Sequence, residues 1–184
     1  MPRTSSRPLR VRAFVFASLL GLLAGAGACG DSSTEPEGID VALVVGTYDL
    51  SVLRFDPQGS LPATDLLGAL GQDNVQLILT SGRTAQVVYQ DPITDIFTTI
   101  AGTFRTTETG VRIDFASNSS YRELLFSRRM EFDLSGTTLT FDAEAPDGVQ
   151  RARLIELVPA FEGEQLLDPT PGVLRVVFTR TPQG

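Results

Sequence analysis

The chain contains no histidine, no tryptophan and no lysine, and it has a single cysteine; all 15 of its basic residues are arginine. Each absence removes a class of chemistry. Without imidazole, a serine nucleophile lacks its usual base and no histidine metal site can form; without lysine there is neither a Schiff base nor a Walker-type phosphate loop. What remains is 184 residues that are 42% hydrophobic, 20% charged and 8% aromatic. Those proportions describe an ordinary globular chain of one domain's length.

The first residues read as a targeting segment. Arg3, Arg7, Arg10 and Arg12 make a positive stretch, and the apolar run of 16 residues that follows, Ala13 to Ala28, is shorter than the ~20 needed to span a bilayer. The run thins into Leu23-Ala24-Gly25-Ala26-Gly27-Ala28 directly before Cys29. This resembles the lipobox of bacterial lipoproteins, with Ala26 where leucine is usual. The resemblance implies a signal peptide over residues 1–28 and a Cys29 that takes a diacylglyceryl thioether and becomes an acylated N-terminus. At ~0.8 kcal/mol per buried methylene, two or three acyl chains anchor a protein stably where one does not. Gly30, rather than aspartate, follows the cysteine. By the enteric bacterial rule this implies a lipid-anchored address in the cell envelope, at the outer membrane and facing the periplasm. A buried, unmodified cysteine is the plainer alternative.

Loss of the four leader arginines would leave 11 arginines against 22 acidic residues, a net charge of −11. Such a chain repels phosphate backbones, so nucleic acid is not an expected partner, and the charge otherwise serves solubility. Residues 29–38 are polar and acidic with one proline. They read as a flexible tether, able to reach roughly 30 Å at ~3.3 Å per residue. The folded domain is then 39–184.

Within that domain the dominant signal is alternation of apolar and polar residues, which predicts β-strands. Tyr48, Leu50 and Val52 share one face of the first strand; Val75, Leu77 and Leu79 mark the second, and Ala85, Val87 and Tyr89 the third, across a turn at Ser81-Gly82. Ile100 to Thr106, Val111 to Phe115, Met130 to Leu134 and Leu139 to Asp142 follow, with tight turns at Glu108-Thr109-Gly110 and Ser135-Gly136. Arg151 to Val158 and Val173 to Thr179 complete nine candidates. Helix signals are scarce. Thr64 to Leu70 could form two turns capped by Thr64, and the segment 159–172, with three prolines, reads as a long loop with a helical turn at Gly163 to Leu167.

Short turns pair each strand with its chain neighbour, and a sheet with one apolar face must close or stack to hide its edges. The expected fold is all-β: an antiparallel up-and-down meander closed into a barrel of 8–10 strands. A Greek-key sandwich is the alternative. Gly46-Thr47-Tyr48-Asp49-Leu50, the Leu61-Pro62 that follows, Gly102-Thr103-Phe104 and the closing Val177-Phe178-Thr179-Arg180 resemble the lipocalin-like group of the calycins. In that family a Gly-x-Trp opens the first strand and an arginine from the last strand packs over the ring. The resemblance implies that Tyr48 stands in for the tryptophan and that Arg180, or Arg175 in its place, closes the barrel floor by a cation–π contact.

No cofactor and no metal is expected, since no acidic cluster has calcium-loop spacing. Carboxylate pairs that could serve an enzyme are Asp91 with Asp95, Glu162 with Glu164, and Asp142 with Glu144; their positions on turns and outer faces favour solvated acids, so an enzyme is not expected. An interior guanidinium could meet an anion held in a barrel, and Arg122, Arg128, Arg129, Arg151 and Arg153 are the candidates. Two functions stay open. A binding barrel would hold a small amphipathic or hydrophobic ligand against Leu77, Phe104, Phe115, Phe132 and Phe141, gated by Leu66 to Leu70. Alternatively, those residues are plain core, and the outer surface binds an envelope protein.

Overall fold

The computed structural model describes residues 38–70, 75–91, 94–145 and 147–182, all within one compact unit. The leader, Cys29 and most of the tether lie outside the described residues. The strands are β1 (Gly46–Pro57), β2 (Thr64–Asp65), β3 (Val75–Leu79), β4 (Thr84–Gln90), β5 (Phe97–Thr106), β6 (Gly110–Phe115), β7 (Arg129–Ser135), β8 (Thr138–Glu144) and β9 (Gly172–Arg180). From β3 to β9 each strand pairs antiparallel with the next, β3 pairs with β1 across the β2 segment, and β9 returns to pair with β1 from Tyr48–Arg180 to Pro57–Gly172. The result is a closed eight-stranded meander. The two-residue β2 adds only a short pairing beside the far half of β1.

Closure follows from the alternation. Val75, Leu77 and Leu79 point inward, as do Ala85, Val87 and Tyr89, then Ile100 and Phe104, Val111, Ile113 and Phe115, Met130 and Phe132, Leu139 and Phe141, and Leu174, Val176 and Phe178. Outward positions carry Thr103, Arg105, Arg112, Asp114, Glu131 and Arg175, a polar exterior opposite to that of a lipid-facing barrel. Gly102 lies opposite Phe115, where an added Cβ would sit 2.7 Å from the Asp114 carbonyl oxygen. The strands approach too closely there for any side chain.

Four sequence expectations are corrected. A β-bulge between Leu50 and Val52 shifts the phase of β1, so Leu53 and Phe55 point inward and Val52 does not share the face of Tyr48 and Leu50. The extra residue, Ser51, turns its hydroxyl to the Val177 carbonyl at 3.1 Å and to Thr179 at 3.0 Å. Secondly, the segment expected as an eighth strand is helical, as the short helix Arg151–Leu157. Its buried Leu154 and Leu157, continued by Phe161, recur at three and four residues, which a helix aligns on one face and a strand cannot. Thirdly, the expected Thr64-capped helix is the single turn Leu67–Leu70, capped by Asp65, which accepts the Leu67 N–H at 2.9 Å. The helical turn expected at Gly163 to Leu167 falls instead at Pro159–Phe161, as 3₁₀.

The two barrel ends differ. The turn end carries the tight β3–β4, β5–β6 and β7–β8 hairpins and the short helix Val41–Val44, capped by Asp40. At the loop end, the long connections lay Leu66, Leu67, Leu70, Tyr121, Leu124, Leu125, Phe126, Leu154 and Phe161 over the barrel mouth as one continuous core with the interior.

Candidate functional site

The five side chains expected to line a cavity are all inside the barrel, at 0% exposure for Leu77, 4% for Phe104, 2% for Phe115, 1% for Phe132 and 6% for Phe141. They pack on one another and on the mouth. The Phe132 ring lies 5.9 Å from Phe141 and 6.0 Å from Phe178, and Phe115 stacks on Phe126 at 6.0 Å and Tyr121 at 6.2 Å. A space wide enough for water would leave its lining accessible. None of these side chains exceeds 6% exposure and their rings pack on one another, so the middle of the barrel is filled by the protein's own residues. Leu66, Leu67 and Leu70 are buried in the same core.

At the turn end, the Arg180 guanidinium carbon stands 5.2 Å from the centre of the Tyr48 ring, within cation–π range. Its Nη2 donates to the Tyr48 hydroxyl at 2.8 Å, to the Val45 carbonyl at 3.2 Å and to the Leu43 carbonyl, while the Tyr48 hydroxyl donates to the Val44 carbonyl at 2.8 Å. Gly46 makes room for this, with φ +156° and the arginine Nε 3.3 Å from where a Cβ would sit. The arrangement ties the N-terminal helix, β1 and β9 together. Arg175 is elsewhere, paired outside with Asp142 at 3.1 Å.

The loop end holds a charged network that the sequence did not disclose. Arg153, on the helix Arg151–Leu157, is buried and bridges three elements: Nη2 to Asp91 at 2.7 Å, Nη1 to Glu156 at 3.0 Å, and Nε to the Glu123 carbonyl at 2.9 Å. Asp91 also accepts the Thr94 N–H at 2.9 Å. Beside them, the Tyr89 hydroxyl donates to the Glu123 carboxylate. Burial, then the bond to Glu123 and its charge, push the Tyr89 phenol well above its ordinary range. Arg153, one of the candidate interior guanidiniums, is buried through the helical register, which turns it inward and leaves Arg151 half-buried; its pairing with Asp91 needs that helix in place.

The remaining candidates separate. Asp91 is held by Arg153, whereas Asp95 is exposed and accepts from Gln90; Glu162, Glu164 and Glu144 are exposed. Arg129 pairs with Asp114 at 2.6 Å, Arg122 stacks on Tyr121 at 5.7 Å, and Arg128 is exposed. Among the described residues no group of three or more acidic or cysteine side chains could hold a metal. Recesses lie outside the barrel wall and over its mouth: one of about 570 Å³ between the β4–β5 connection and the helix Arg151–Leu157, and one of about 360 Å³ over Leu125, Phe126 and Val149.

These features define the class: a closed eight-stranded antiparallel barrel with a filled interior, compatible with the lipocalin-like architecture. Compared with models of protein families and with curated proteins, the sequence matches none.

Proposed function

We propose that this protein is a non-enzymatic binding barrel of the bacterial cell envelope, anchored through lipid on Cys29 at the outer membrane, that recognises a protein partner with its outer surface. The observation behind the choice is the packed interior. A carrier of hydrophobic ligands keeps a cavity of some 300 Å³ or more, and the rings of Phe115, Phe132 and Phe141 occupy that volume themselves. Carriage of a small amphipathic molecule against Leu77, Phe104, Phe115, Phe132 and Phe141 is the competing reading, and it requires those rings to part. Against catalysis stand the missing histidine and lysine and the engagement of Asp91 by Arg153.

Native mass spectrometry of the protein released from bacterial envelopes tests the choice. A protein companion with no small molecule supports the proposal; a stoichiometric small molecule overturns it in favour of carriage. The anchor has a separate test. Cys29→Ser should release the chain from membranes or leave it unprocessed, and unchanged processing and fractionation would refute lipidation.

A further inference from the structure

We infer that the partner docks on the loop end of the barrel, where the β4–β5 connection joins β5, and that it presents an apolar side chain flanked by basic ones. This rests on the reading of the protein as an anchored, partner-binding barrel. Ile96 and Phe97 are adjacent there and 60% and 71% exposed. Large apolar side chains this open cost solvation free energy unless something covers them.

The surroundings of these two residues set the charge of what covers them. Ile96 borders the recess of about 570 Å³, which is also lined by Asp91, Glu123, Arg153 and Glu156. Three carboxylates and one guanidinium line it, a net negative charge. Arg153 already donates to Asp91, Glu156 and the Glu123 carbonyl, whereas the Glu156 side chain is 52% exposed. An incoming anion meets net repulsion; a lysine or arginine beside an apolar anchor meets an accepting carboxylate.

The charge of the recess decides between protein and lipid as the occupant. Its net negative lining repels an anionic phospholipid surface and favours an arginine or lysine of a protein. The Ile39 N–H donates to the Thr107 carbonyl at 2.8 Å, so the segment leading into β1 lies beside the β5–β6 turn, at the end of the barrel opposite to Ile96 and Phe97.

The test uses the processed, lipidated chain in nanodiscs and two fluorescent eight-residue peptides, one alternating arginine with leucine and one alternating glutamate with leucine. Binding is read by anisotropy at low and high salt. The arginine peptide should bind and the glutamate peptide should not. Phe97→Ser should weaken binding at least tenfold and Glu156→Gln three- to tenfold, whereas Leu43→Ser, at the turn end, should leave it unchanged. Equal binding of both peptides, no binding of the arginine peptide, indifference to Phe97→Ser, or competition by added phosphatidylethanolamine–phosphatidylglycerol vesicles overturns the inference. Such a failure leaves the partner-binding reading intact if native mass spectrometry still finds a protein companion; a retained small molecule overturns that reading whatever the peptides do.

Discussion

Replacing Phe132 with alanine asks whether the barrel is as full as its burial indicates. The side chain is 1% exposed and its ring contacts those of Phe141 and Phe178. Returning a phenylalanine side chain to water costs about 1.5–3 kcal/mol. The missing ring also leaves a void on the order of 100 Å³, worth about 2 kcal/mol at 24 cal/mol per Å³ where neighbours do not collapse into it. Partial collapse brings the expected loss to about 3–5 kcal/mol. Equilibrium urea denaturation followed by far-UV circular dichroism measures it, with the slope of the transition compared to confirm that the denatured state is unchanged. The variant should also acquire binding of a small aromatic probe such as benzene, detectable by calorimetry, which the parent lacks. A loss below about 1 kcal/mol, or equal benzene binding by the parent, would refute the filled interior and with it the preference for an outer-surface partner.

Other substitutions test the two ends. Arg153→Met should cost about 3–5 kcal/mol because it removes a buried guanidinium that faces the buried Asp91 carboxylate, and adding Asp91→Asn should recover part of that loss, as a double-mutant cycle in urea would report. Arg180→Met removes the cation–π contact and the donors to Tyr48 and the carbonyls before it; a loss of about 2–3 kcal/mol is expected, with faster amide exchange over residues 41–46 as the local signature. Tyr89 is a pH test. Its folded-state pKa is raised above the ordinary value of 10.0, so its contribution is complete below pH 10 and falls as pH rises toward the folded value. The expected slope is about 1.4 kcal/mol per pH unit above pH 10. Tyr89→Phe should lack this component in denaturation curves between pH 9 and 11, and identical slopes in the two proteins would count against the assignment.

The strand alternation from Leu77 to Phe141 and at Leu174, Val176 and Phe178 was legible without coordinates, since a side-chain period of two and short turns admit few arrangements. The polar exterior and the exclusion of imidazole and lysine chemistry were equally readable, being counts and local patterns. The bulge at Ser51 was not, because one extra residue is invisible until β9 is laid beside β1. Nor was the helix at Arg151–Leu157: seven residues are too few to establish a period, and only burial of Leu154 and Leu157 against the barrel mouth selects the helical spacing. That selection turned Arg153 toward Asp91, 62 residues earlier in the chain. Whether the inward rings enclose space or fill it was likewise beyond the sequence, because composition fixes which side chains face inward but volume depends on how Phe115, Phe126, Phe132, Phe141 and Phe178 meet.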